Sequence, residues 1–335
     1  MESDVPTMHD LRETFRVMSD SQYNGIPGVL RISSSGDPHP VVGITAMTHG
    51  NEPSGLAAIS YFLRDNLLQT LLNETGRGSV IFSVNNMQAA DAYFSLPPGA
   101  TEQEKEAYRF LDINMNRLPM DALSRIEDTR REISRVLALY NGVFREFDAG
   151  LDIHSLRVSN MQMIVEVKGN GKKHARHFPM ENIITNIVQV QTGQPVSKLY
   201  GGVEKAIPVV GIEAGRHEHD DAFRYAIASA KAFLESIGIL PGSAREMQST
   251  LTEYAVRRGV LPPEEGYSMV STFGMFDAVQ DDTVLMKHAA SSKEVQAGMR
   301  GHILMGLPAG TPLRVTEEAY FLSEPKKALA RDTLS

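Results

Sequence analysis

A histidine and a carboxylate three residues apart, where a buried strand turns into a helix, can close on one metal ion. The chain carries such a pair in Thr48-His49-Gly50-Asn51-Glu52-Pro53, directly after the apolar run at residues 41–47. One side chain leaves the loop and the other the helix start, so both can converge on one point, and Gly50 lets the backbone turn tightly enough for that. With 10 histidines and 41 acidic residues in 335 positions, about one pair at this spacing is expected by chance. His217 and Asp220 make a second. What raises the first pair is its place at the carboxyl end of a strand. Leu151-Asp152-Ile153-His154 is another strand ending in a histidine. A third imidazole or carboxylate completes a catalytic zinc site and leaves water in the open position. Asp152 either orients that imidazole from behind or makes an ordinary turn hydrogen bond.

Two further stretches hold groups suited to a reacting acyl compound. In Arg109-Phe110-Leu111-Asp112-Ile113-Asn114-Met115-Asn116-Arg117, Arg117 offers a planar fork that matches a carboxylate and Asn116 adds neutral donors. Arg109 can reach a developing oxyanion. In Val210-Gly211-Ile212-Glu213-Ala214-Gly215, a carboxylate closes a buried run between glycines, where it is out of place unless paired or functional. Glu213 suits a general base.

Composition removes several alternatives. The chain has no cysteine, so disulfides, thiolate nucleophiles and cysteine-bound zinc are excluded, and any metal must sit on His, Asp or Glu. The net charge is −8 and no long stretch gathers Lys or Arg, which argues against nucleic acid as a partner. Lys168, Lys172, Lys173, His174, Arg176 and His177, interrupted by Gly169 and Gly171, read as a solvated loop. No apolar run approaches the roughly 18 residues needed to span a bilayer. Residues 1–10 lack the basic start and apolar core of a secretory signal, so a cytoplasmic location is expected.

These groups need a scaffold, and the text supplies one. Residues 41–47, 79–84, 150–153, 161–167 and 207–212 read as strands, while 53–72, 122–147 and 220–237 carry apolar residues at helical spacing. Strands alternating with helices predict an α/β fold with a mixed, mostly parallel sheet flanked by helices, whose ligand site lies beyond the carboxyl ends of the strands. After Gly242 short apolar runs at 267–278, 283–286 and 313–315 predict a smaller β-rich domain. The division is a catalytic domain over 1–244 and a C-terminal domain over 245–335.

Taken together and in their order along the chain, these motifs resemble the succinylglutamate desuccinylase/aspartoacylase family, the amidohydrolase branch of the zinc-carboxypeptidase fold. The resemblance covers about residues 40–220 and rests on His49 to Glu52, Arg109, Asn116 with Arg117, Asp152 with His154, and Glu213. It implies one zinc ion per chain on His49, Glu52 and His154, Glu213 as general base, Arg109 stabilising the oxyanion, and Asn116 and Arg117 gripping a substrate carboxylate. Glu317-Glu318-Ala319-Tyr320 is similar to the segment that lends a tyrosine to the pocket, which makes Tyr320 a candidate. The implied partner is a small N-acyl amino acid, with no nucleic acid or membrane, and a homo-oligomer stays open. The sequence departs from the family's succinylglutamate-specific members at Ser155 after the third ligand, at Ile212 and Ala214 beside Glu213, and in the insert at 95–108. Those departures leave the acyl group and the amine open. Two other readings remain: a zinc carboxypeptidase acting on short peptides, and a non-catalytic metal or small-molecule binding protein. The run from Arg216 to Asp221 reads as a polar helix start, with a pocket rim or second metal site as alternatives.

Overall fold

The computed structural model describes residues 5–157, 159–242 and 251–325. One sheet runs through it, with strands β1 (Val29–Ser33), β2 (Asp37–Ala46), β3 (Arg77–Val84), β4 (Ala149–Leu156), β5 (Met163–Lys168), β6 (Asn182–Thr185), β7 (Val209–Arg216), β8 (Thr252–Val260), β9 (Ala278–Val279), β10 (Gly301–Leu304) and β11 (Tyr320–Pro325). Their order across the sheet is β9-β10-β11-β8-β6-β5-β7-β4-β2-β3-β1. The block β3-β2-β4-β7 is parallel, and so is β5-β6-β8, with an antiparallel seam between β5 and β7. Antiparallel strands close both edges. β2 is buried from Val41 to Ala46 and β4 from Ala149 to Ser155. Burial on both faces of a parallel strand needs a continuous apolar run, which is why these segments were legible.

The helices Met8–Asp20, Ser54–Leu63 and Asp220–Ile237 share one core with Val42, Ile44 and Ile212 on one face of the sheet. On the other face Arg131–Gly142 packs with Phe144, Phe147 and Tyr200. Asp220–Ile237 matches its expected span because Ala222, Phe223, Ala226, Ala230, Phe233 and Leu234 repeat at helical spacing and Gly238, at φ 82°, stops it. Two expected helices are shorter. The one at 53–72 breaks at Asp65 and Asn66, which take left-handed φ values of 50° and 57°, and a second helix, Leu67–Thr75, follows. The one expected over 122–147 is helical only at Arg131–Gly142 apart from single 3-10 turns. Before it, the Asp128 carboxylate accepts from the Arg130 backbone N–H and guanidinium, a local alternative to helical hydrogen bonds.

The basic cluster is not a solvated loop. Lys168 lies in β5 and donates to the Tyr200 and Gly202 carbonyls, Lys172 pairs with Glu253 at 2.7 Å, and His174 bonds to Ser236 against the Phe233 ring. Beyond residue 251, β8 to β11 extend the main sheet rather than stand apart from it, since β8 pairs in parallel with β6. A separate three-stranded sheet (Tyr267–Met269, Val284–His288, Glu294–Gln296) packs with them around Leu285, Ile303 and Leu322. Residues 313–315 form no strand. The division placed at 244/245 lies outside the described residues.

Candidate metal centre

The carboxyl ends of β2, β4 and β7 meet at one edge. β2 stops at Ala46, and the following turn carries His49 and Glu52 into the helix Ser54–Leu63, whose first residues pack on β2. Gly50 has no room for a side chain: a Cβ there would lie 2.5 Å from the Ala89 carbonyl carbon and 2.5 Å from the Tyr108 oxygen, and its N–H donates to Arg109 O at 2.9 Å. β4 carries Asp152 and His154, and β7 places Glu213 beside His154 in register. His49, Glu52 and His154 are buried, and one ligand atom from each lies within 4.8 Å of the others.

The hydrogen bonds fix how those atoms point. His49 Nε2 donates to Asn114 Oδ1 at 3.0 Å, and His154 Nε2 donates to Asp152 Oδ2 at 3.1 Å. Each ring therefore turns Nδ1 toward Glu52: His49 Nδ1 lies 2.8 Å from Oε1 and His154 Nδ1 2.8 Å from Oε2. Two imidazole lone pairs and a carboxylate facing one another repel unless a cation or a proton lies among them. Two neutral nitrogens and one carboxylate oxygen are also the donor set of catalytic zinc sites, so the residues fit such an ion.

Further side chains brace the cluster. Asp152 Oδ1 accepts from Thr45 and Thr48 at 2.7 and 3.0 Å, while Asn85 donates to Thr48 and to the Tyr200 hydroxyl. Glu132 is fully buried and accepts from the N–H groups of Leu111, Asp112 and Ile113, which organises the loop leading to Asn114. None of Asn114, Glu132 or Tyr200 was singled out from the sequence. Asn114 stands inside the motif that was, two residues before Asn116. Glu132 was hidden in what read as an amphipathic helix.

Charge is distributed unevenly. Burial holds His49 below the ordinary imidazole value, with the Arg109 cation adding to the effect. Burial works against a charged His154 too, but Asp152 and Glu52 outweigh it and hold its pKa well above the ordinary value. Glu52 is held well below the usual carboxylate range: burial opposes this and is overcome by His49, Arg109 and His154. Glu213 goes the other way. Burial, reinforced by the neighbouring Glu52 charge, pushes it up to about 8, and its Oε2 has no hydrogen-bond partner among the described residues.

The remaining candidates divide. Arg109 reaches the cluster, donating to Glu52 Oε1 at 2.6 Å. Asn116 places its Nδ2 3.5 Å from His154 Nε2 and keeps a buried Oδ1 without a partner among the described residues. Arg117 is not a free fork: Nε donates to Glu318 Oε2 at 2.8 Å, Nη1 to the Asn116 carbonyl at 2.9 Å, and its guanidinium carbon lies 5.8 Å from the Phe321 ring centre. Tyr320 is not brought to the cleft. Strand alternation sends it with Leu322 into the C-terminal core and leaves Phe321 on the opposite face under Arg117. The segment contributes its two glutamates instead, Glu318 to Arg117 and Glu317 to Asn114 at 3.2 Å. His219 caps the helix Asp220–Ile237 as a polar start requires, whereas His217 turns inward to Ser155 Oγ at 2.8 Å.

No family model matches the chain, and no curated protein does either. Solved structures do. A succinylglutamate desuccinylase/aspartoacylase from Rhodobacter sphaeroides aligns over 90% of this chain and 89% of its own, with a TM-score of 0.64 at 16% identity. The fold is theirs. The product-bound ectoine utilization protein EutE (DoeB) from Ruegeria pomeroyi covers 88% of both chains with a TM-score of 0.63 at 14% identity. A succinylglutamate desuccinylase from Vibrio parahaemolyticus covers 95% of both, with 0.61 at 14%. The match takes in the C-terminal strands as well as the sheet centre, beyond the stretch in which the motifs could be read. Among the described residues no helix is long and apolar enough to cross a membrane.

Proposed function

We propose that this chain is a zinc-dependent amidohydrolase that cleaves a small N-acyl amino acid, with the metal on His49, Glu52 and His154. The observation that carries the reading is the pair of imidazole Nδ1 atoms aimed at the two oxygens of one buried carboxylate, with Glu213 beside them. When bound, zinc supplies a Lewis acid that polarises the carbonyl and makes water a nucleophile near neutral pH.

The chain's own groups do the rest. Glu213 has a carboxyl oxygen without a partner among the described residues and a raised affinity for protons, so it can take a proton from the attacking water and return it to the leaving nitrogen. An amide nitrogen cannot leave as an anion, so one carboxylate serves as base and then as acid. Arg109 stands by the cluster as a cation for the charge that develops on the carbonyl oxygen; one such donor is typically worth about 3–4 kcal/mol. The Asn116 carboxamide oxygen, without a partner among the described residues, can accept from a substrate N–H, and Arg117 keeps Nη2 for a substrate carboxylate.

A short-peptide carboxypeptidase would need an open groove. The Glu317–Glu318 segment crossing to Asn114 and Arg117 closes one side, which favours a small substrate. The test is a hydrolysis screen of zinc-loaded protein over N-acyl amino acids, their C-terminal amides and tripeptides. The reading expects cleavage of the free acids first. Faster removal of C-terminal residues from tripeptides would replace it with the carboxypeptidase reading, and no hydrolysis with zinc bound would favour a binding protein.

A further inference from the structure

Arg109 can act on a carbonyl only if its guanidinium is aimed, and the hydrogen bond it makes goes to Glu52, itself a proposed metal ligand. The rest of the aim comes from its backbone. Arg109 N–H donates to the Glu106 carbonyl at 3.2 Å and Tyr108 N–H to the Lys105 carbonyl at 3.0 Å, so Arg109 continues the last turn of the short helix Glu102–Glu106. That helix lies in the insert at 95–108 and buries none of its own residues, so apolar packing does not place it. Polar side chains do. Asn51, in the turn between His49 and Glu52, donates to Glu106 Oε2 at 3.1 Å. Lys105 Nζ donates to Glu218 Oε2 at 2.6 Å, and the Tyr93 hydroxyl, just ahead of the insert, donates to Glu218 Oε1.

Glu218 is a fixed point for that insert. The residue before it, His217, donates its N–H to Leu156 O at 2.9 Å and shares a hydrogen bond with Ser155 Oγ at 2.8 Å. The residue after it, His219, caps the helix Asp220–Ile237. Glu218 itself takes a φ of 56°, a left-handed conformation that is costly for a residue with a Cβ. A fold keeps such a residue where its neighbours over-determine it, and here the neighbours are Lys105 and Tyr93. The side chains of Lys105 and Glu218 are only 21% and 27% exposed, so the pair is sheltered in a way that surface ion pairs are not. One carboxylate thus ties the helix leading to Arg109 to the ends of β4 and β7, the two strands that carry His154 and Glu213.

We infer that Glu218 is a positioning residue for the hydrolysis: through Lys105 and Tyr93 it fixes the insert and so sets Arg109 against the reacting carbonyl; this rests on the amidohydrolase reading above. The test is steady-state kinetics of zinc-loaded variants on the best N-acyl amino acid found. Glu218→Gln should lower kcat by about tenfold or more while KM stays within about twofold, because Arg109 acts on the charge that develops and the substrate is gripped elsewhere. Lys105→Met should reproduce that loss, which keeps the test open if Glu218→Gln does not fold, and Lys105→Arg, which retains the cation, should stay near wild type. Unchanged kcat in folded Glu218→Gln or Lys105→Met, or a Lys105→Arg variant as impaired as Lys105→Met, overturns the assignment. If wild type cleaves no amide, the amidohydrolase reading fails and hydrogen exchange at the Tyr108 and Arg109 amides decides the tie by itself. Faster exchange there in Glu218→Gln than in wild type sustains it, and equal rates overturn it. Melting temperature and zinc content of the variants show that fold and metal are retained.

Discussion

Holding an imidazole by Nε2 decides what its Nδ1 can do. Asn114 and Asp152 each accept from one ring, and both rings thereby turn Nδ1 toward Glu52, where a bound cation would take the place of a proton. Asp152 carries the heavier duty, since it is buried and bound to Thr45 and Thr48 as well, and burial that would raise its pKa is outweighed by His154 and these hydroxyls. Glu213 has the opposite character, with its Oε2 buried and without a hydrogen-bond partner among the described residues. Glu213→Gln should keep the metal and lower kcat by about 10²–10⁴-fold; activity within tenfold of wild type would assign the base elsewhere. In the metal-free protein Glu213 also links stability to pH. Its folded pKa, about 8, is above the ordinary 4.5, so its contribution is complete below 4.5 and is lost as pH rises through about 8. Urea unfolding at pH 5 and pH 9 should show metal-free wild type losing more stability than Glu213→Gln across that interval. Parallel losses would contradict the raised value.

At the scale of elements, the site depends on a turn with no spare volume. Gly50→Ala brings a Cβ against two backbone atoms of residues 89 and 108, which cannot yield as a side-chain end does. It should cost about 1–3 kcal/mol and lower zinc affinity together, measured by thermal unfolding and metal titration. An unchanged melting temperature would mean the turn is looser than the contacts indicate. This turn was legible because its residues are consecutive: strand, His49, Gly50, Glu52 and helix stand next to one another in the text. Where function depends on residues far apart, the sequence was silent. Nothing near Glu132 announces that it binds the backbone of residues 111–113, and nothing near Glu318 announces Arg117. Tyr320 failed for a related reason. Its segment does reach the site, but strand alternation turns the tyrosine into the core and lets the glutamates before it make the contact.

Over the whole molecule, the C-terminal strands share the sheet of the site and also send Glu317 and Glu318 across to it. Glu318 has a side chain only 2% exposed, so its pairing with Arg117 is a tie between the two halves. Glu318→Gln should destabilise the fold by about 1.5–3 kcal/mol and release the Arg117 fork, lowering KM for substrates with a free carboxylate. A stability loss with no change in KM would make the tie purely structural. The turn after β2 and the strand β4, about a hundred residues apart in the chain, supply the three candidate metal ligands, so the account stands or falls on whether those groups hold one ion. The most direct measurement is the zinc content per chain of purified wild type and His154→Ala after equilibration with zinc and removal of excess. The account predicts about one zinc in wild type and almost none in a variant that keeps its fold, because the site lies at strand ends. Full occupancy in folded His154→Ala, or none in wild type, would contradict it.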